Sequence, residues 1–153
     1  MVTDDGWPTH MEGLAERAVM AALGASTARV SGPAELSIVL TNDTEQQALN
    51  REWRAKDSST NVLSFPQIEP FAPVTGLIGD ITLARETVVR EADELGKSLE
   101  DHFTHLVIHG FLHILGYDHI ADEEALTMES LETQILAGLG IDDPYADEPD
   151  SAA

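Results

Sequence analysis

Three histidines stand in the run His109-Gly110-Phe111-Leu112-His113-Ile114-Leu115-Gly116-Tyr117-Asp118-His119. Residues four apart on an α-helix lie one above the other, so His109 and His113 can aim their imidazoles at one point. Gly116 suits the left-handed turn that ends a helix, and a chain folding back there can bring His119 to the same point. Three ring nitrogens so arranged make a zinc site with one coordination position open, which a catalytic metal needs and a structural metal lacks. The competing account is three core histidines, each bonded to backbone or carboxylate. The surrounding residues are apolar (Phe103, Leu106, Val107, Ile108, Phe111, Leu112, Ile114 and Leu115), and imidazoles in that much hydrocarbon need partners. The chain has no cysteine, so one zinc ion per chain would be held by histidine and carboxylate alone. Nickel and copper accept the same ligands.

Other histidines are near. His105 lies one turn before His109, but a helix drifts about 40° per four-residue step, so His105 reads as a support or packing residue. His102 reads as a surface residue. Asp118 either orients the His119 ring or serves the turn. In the metalloprotease pattern H-E-x-x-H the glutamate is the general base; here Gly110 stands in its place. Three neutral imidazoles also leave zinc its full charge, which favours an anionic oxygen such as that of a phosphodiester. The guanidinium of Arg54 suits charge building on phosphate, although a surface pair with Asp57 or Glu52 accounts for it as well. Lys56 is a weaker choice for the same groove. Asp80 either touches substrate or holds an edge strand together. Tyr117, Phe65 and Trp53 could stack on bases, although packing under the turn for Tyr117 and a core place for Phe65 and Trp53 are the commoner roles. Nothing names the general base, and an RNA 2′-hydroxyl could replace water as nucleophile.

Helical spacing covers Met11 to Leu23, with Gly24 as its stop. Glu35 to Leu40 alternates as a strand. Thr41 to Thr44 can cap a helix over roughly 44–53. Val62 to Phe65 reads as a short strand, and residues 67–76, with Pro70, Pro73 and Gly76, as a loop. Leu77 to Leu83 is a strand with Gly79 inside it, suggesting a bulge or close backbone approach. Ala84 to Leu95 is a helix stopped by Gly96. Ser98, with Asp101 three residues on, caps the long helix that ends near Leu115. Asp122 to Leu139 is the last helix.

The histidine run, HGFLHILGYDH, resembles the signature H-G-x-L-H-L-x-G-Y-D-H of the YbeY family of bacterial ribosomal-RNA maturation endonucleases, with Ile114 for leucine. Leu49 to Asp57 (LNREWRAKD) is similar to that family's LNxxYRxKD segment, Thr60 to Pro66 to its T-D/N-V-L-S-F-P strand, and Leu77 to Ile81 to its L-x-G-D-I strand. Met128 to Glu132 and Asp142 to Tyr145 also fit, so the similarity spans roughly residues 36 to 145. The resemblance implies an α+β fold: a small mixed β-sheet, about five helices and a metzincin-like core built on a long metal-binding helix. It implies a single domain over residues 1–146, followed by an acidic tail, 147–153, that reads as frayed. The family starts with a strand, for which only Met1 to Thr3 remain here. By motif position, His109, His113 and His119 would hold zinc, His109 would serve catalysis, and Arg54 would be needed for activity. The implied function is that of a cytoplasmic endoribonuclease specific for single-stranded RNA. It would act on small-subunit rRNA, including its 3′ end, and in ribosome quality control. Partners would be ribosomal proteins or an assembly GTPase, with neither DNA nor membrane.

Lys+Arg 8 against Asp+Glu 28 gives a net charge of −20, which by itself argues against a nucleic-acid ligand. All eight cations precede residue 98, and Arg51, Arg54 and Lys56 cluster before the TNVLSFP strand. One basic patch could face phosphate while an acidic, solubilising surface covers the rest. Binding to naked RNA should then be weak and salt-sensitive, with a protein partner adding affinity. No apolar run is long enough to span a bilayer, the first residues lack a signal-peptide core, and 153 residues suit one sizeable core. Two other functions stay open. One is a zinc peptidase, which Gly110 disfavours. The other is an assembly factor with a purely structural zinc.

Overall fold

The computed structural model describes residues 2–3, 6–26, 28–54, 60–117 and 122–141. The elements are β1 (Val2–Thr3), α1 (Met11–Ala25), β2 (Val30–Thr41), α2 (Asp43–Arg54), β3 (Val62–Pro66), β4 (Val74–Ala84), α3 (Arg85–Leu95), α4 (Leu99–Leu115) and α5 (Asp122–Gly138). They form an α+β fold around one mixed sheet of order β1-β2-β4-β3. β1, β2 and β4 run parallel, while β3 returns antiparallel against β4. The first strand is as short as expected, pairing Val2 with Val39 and Thr3 with Leu40. The acidic tail, 147–153, lies outside the described residues.

Helix boundaries follow local chemistry. Asn42 Oδ1 accepts from the Glu45 amide at 2.9 Å, and Ser98 Oγ from the Asp101 amide at 3.1 Å, each satisfying a donor the helix start leaves over. Asp43 Oδ1 accepts from both the amide and hydroxyl of Thr87, at 3.1 and 2.8 Å. The Asp43 amide in turn donates to Glu86 Oε2 at 2.7 Å, so the starts of α2 and α3 cap each other.

Strands depart further from expectation. β2 begins at Val30, not Glu35, and β4 at Val74, not Leu77. β2 carries Gly32 and Pro33 through register irregularities between Val30 and Ala34 and between Glu35 and Leu36. A bulge tolerates proline because the ladder is interrupted there. β4 lies between β2 and β3, so Asp80 is on an interior strand, not an edge. The close approach expected at Gly79 is present. A Cβ there would lie 2.5 Å from Ile114 Cδ1 and 2.8 Å from the Phe65 carbonyl oxygen.

α4 crosses the middle of the fold, packed on α1, β3, β4, α3 and α5. Its Phe103, Leu106, Val107, Ile108, Phe111, Leu112, Ile114 and Leu115 are all buried; each large side chain so placed contributes roughly 1.5–3 kcal/mol. Trp7 covers one end, its indole N–H donating to the Thr41 carbonyl at 2.8 Å, its ring 5.6 Å from that of Phe103. From His102 to Leu115, only His105, His109 and His113 are not fully buried.

His102 is therefore not the surface residue expected. It is 5% exposed, because the apolar sides of α4 leave no solvent face at that position. Its Nε2 lies 3.0 Å from Glu91 Oε1, which also accepts from Asn61 Nδ2 at 3.0 Å. Burial holds the imidazole below its ordinary value of 6.5, against the opposing pull of the Glu91 carboxylate.

Two outcomes follow. Gly79→Ala should destabilise the fold by about 1–3 kcal/mol through overpacking against backbone, read as a lower urea midpoint at unchanged slope. In acid the unfolded chain binds the His102 proton before the folded one does, so this contribution is complete above 6.5 and is lost as pH falls towards the lower folded value. His102→Gln should flatten the wild-type decline in stability below that pH, measured as urea midpoints across a pH series. An unchanged decline would refute the assignment.

Candidate metal centre

The three partly open positions of α4 form one stripe, four residues apart. His109 and His113 have ring centroids 4.8 Å apart at an interplanar angle of 81°. The His105 and His109 centroids are 6.4 Å apart. Behind the stripe lies Glu132 of α5, whose side chain is 0% exposed. Its Oε1 is 2.6 Å from His109 Nδ1 and 3.5 Å from His105 Nε2. As a carboxylate Glu132 only accepts, so Nδ1 of His109 carries the proton. In the neutral ring the lone pair is then on Nε2, the form in which a carboxylate-braced histidine binds metal. His105 is a supporting residue, sharing the carboxylate.

Sequence reading missed Glu132 as a site residue. The available signal was a carboxylate within a buried stripe: Met128, Glu132 and Leu136 are four apart on α5, all 0–1% exposed. A charge in that setting needs a partner.

Gly116 ends α4 with φ +121°. Its amide donates to the His113 carbonyl at 3.1 Å, and the Tyr117 amide to that of Leu112 at 3.0 Å. These paired bonds are the turn a helix-ending glycine makes, as the spacing predicts. His119 and Asp118 lie outside the described residues, as does Lys56. Arg54 is the last residue of α2, and its side chain is likewise outside the description. Among the described residues no group of three His, Cys, Asp or Glu side chains is placed to hold a metal. His109 and His113 are the described pair that could, and nitrogen donors backed by a carboxylate suit zinc.

The remaining residues divide between site and scaffold. Asp80 Oδ2 accepts from Gln67 Nε2 at 2.8 Å, tying β4 to the residue after β3. Tyr117 packs on the core, edge-on to Phe71 with centroids 5.0 Å apart. Trp53, 64% exposed, is not a core residue. A Cβ on Gly110 would lie 3.2 Å from Ile81 Cγ2 and 3.4 Å from Val62 Cγ2. That position faces the sheet, and a glutamate there would be driven between β3 and β4.

Comparison with known proteins agrees with this architecture. A solution structure of a Thermotoga maritima protein, 22% identical, superposes with a TM-score of 0.58 over 97% of this chain and 96% of its own. Relatives named Endoribonuclease YbeY are closer in sequence. That of Allorhizobium ampelinum is 53% identical over 93% of this chain and 90% of its own. That of Agrobacterium fabrum is 60% identical over 74% and 69%. The model of the family described as endoribonuclease YbeY matches residues 5–140, and with so much of its length accounted for, the chain belongs to that family.

Proposed function

We propose that this chain is a zinc-dependent endoribonuclease that cuts single-stranded RNA. It acts in the cytoplasm in ribosome biogenesis, including maturation of the small-subunit rRNA 3′ end and ribosome quality control. The observation that carries this reading is the His109–Glu132 contact at 2.6 Å beside His113, in a chain whose relatives are named as endoribonucleases.

In this reading His109, His113 and His119 hold the ion. A zinc ion bound there supplies a Lewis acid for a phosphoryl oxygen and a means of acidifying water to about pKa 7. Glu132 fixes the His109 tautomer and ring orientation, and the His105 ring lies 3.5 Å from the same carboxylate oxygen. Arg54, at the end of α2, balances charge that builds on the phosphate. Gly110 leaves no carboxylate where a peptidase keeps its base, and that position is packed closely on Ile81 and Val62. The proton acceptor is then the substrate's own group or a residue outside the histidine stripe. Ribosomal proteins or an assembly GTPase supply the affinity for RNA that a chain of charge −20 lacks.

The zinc-loaded protein should cleave single-stranded RNA and spare duplex. His113→Ala should abolish cleavage with the circular dichroism spectrum retained, and Arg54→Ala should lower kcat about 10²–10³-fold. Unfolding of His113→Ala would point to a structural metal, and cleavage of casein without RNA to a peptidase. Glu132→Gln should weaken zinc binding roughly 10–100-fold in a chelator competition; unchanged affinity would remove the carboxylate from the metal's support.

A further inference from the structure

Phe71 has φ +59°, the one positive-φ residue other than glycine among the described residues, a conformation that costs of order 1 kcal/mol or more for a bulky side chain. It is nevertheless 60% exposed, so burying its ring does not account for the strain. The backbone is pinned there from both sides. The Phe71 amide donates to the Leu115 carbonyl at 2.8 Å, and a Cβ on Gly116 would lie 2.8 Å from Phe71 N and 2.9 Å from Pro70 Cα. The loop between β3 and β4 is thus clamped onto the C-terminus of α4. Leu115 is two residues, about 3 Å along the helix axis, beyond His113. Tyr117 braces the Phe71 ring edge-on at 5.0 Å and 81°.

These residues share a cleft of about 520 Å³ with Glu123, Glu124 and Thr127 from the start of α5, a volume typical of small-molecule sites. The described residues lining it include two carboxylates and no cation, a poor site for phosphate. It suits a flat, uncharged ring bearing N–H donors. Aromatic rings stack on unpaired bases, and a carboxylate only accepts hydrogen bonds. Guanine presents adjacent N1–H and N2–H₂ donors that one carboxylate can take together, whereas uracil presents a single N–H between two carbonyls.

We propose that the Phe71–Tyr117 cleft is a nucleobase site. It takes an unstacked base of the single strand next to the cleaved bond, stacks it on Phe71, and favours guanine through Glu123 or Glu124. This rests on the endoribonuclease reading for its substrate, but the site can be tested without cleavage.

The full-length protein is titrated with guanosine, cytidine and uridine, and the aromatic resonances of Phe71 and Tyr117 are followed by NMR. Guanosine should give saturable shifts at lower concentration than uridine. Phe71→Gly, which keeps the positive φ without strain, should lose them, and Phe71→Tyr should retain them. A Glu123→Gln, Glu124→Gln double variant should lose the preference for guanosine. On a single-guanine oligoribonucleotide, Phe71→Gly should raise KM roughly 5–100-fold, with a much smaller change in kcat. Absence of guanosine binding, or equal binding by wild type and Phe71→Gly, overturns the proposal whether or not RNA is cut. Guanosine binding in a protein that cuts no RNA keeps the nucleobase site and overturns the endoribonuclease reading instead.

Discussion

One constraint governs this molecule: α4 is enclosed by the fold on nearly every side, and its single open stripe is made of histidines. A helix apolar on most sides belongs in the interior, and the three helices and two strands around it supply that interior. Glu132 extends the same logic. A fully buried carboxylate needs compensating partners, and the His109 and His105 rings both approach its Oε1. The contact that orients the candidate ligand is therefore also one that lets α5 dock. Core packing and site geometry share one set of atoms, so the site is held without a dedicated scaffold.

Close packing also limits which chemistry the site can do. Gly110 lets α4 lie against Ile81 and Val62, and Gly79 lets β4 reach Ile114 and the Phe65 carbonyl. A Cβ at 110 would require Ile81 and Val62 to give by a few tenths of an ångström, so the position where a peptidase keeps its base is part of the helix–sheet contact. At the far end, Gly116 admits the 70–71 backbone against the helix terminus and sets Phe71 in its exposed position.

Electrostatics adds a second layer. A net charge of −20 opposes approach of any polyanion, and the cations all precede residue 98. An acidic chain that handles RNA does not rely on a broad phosphate-binding face. An aromatic cleft lined by carboxylates is compatible with that constraint.

Local signals were legible in the sequence because they are satisfied within a few residues. The spacing of His109 and His113, the Ser98 cap, the Asn42 cap and the glycine turns at Gly96 and Gly116 each concern atoms less than two turns apart. So does the apolar periodicity that marked α4. Tertiary structure alone decided the rest. Glu132 reaches His109 across 23 positions, and no local pattern in α5 says which neighbour a buried acid will meet. His102 looked exposed until α3 brought Glu91 to it, with Asn61 donating to the same carboxylate oxygen. The bulge that carries Gly32 and Pro33 within β2, and the interior place of β4, depend on strand pairing, which joins residues 13 to 44 positions apart. Spacing along one helix follows from 3.6 residues per turn; which element faces which follows only from how the whole chain excludes water.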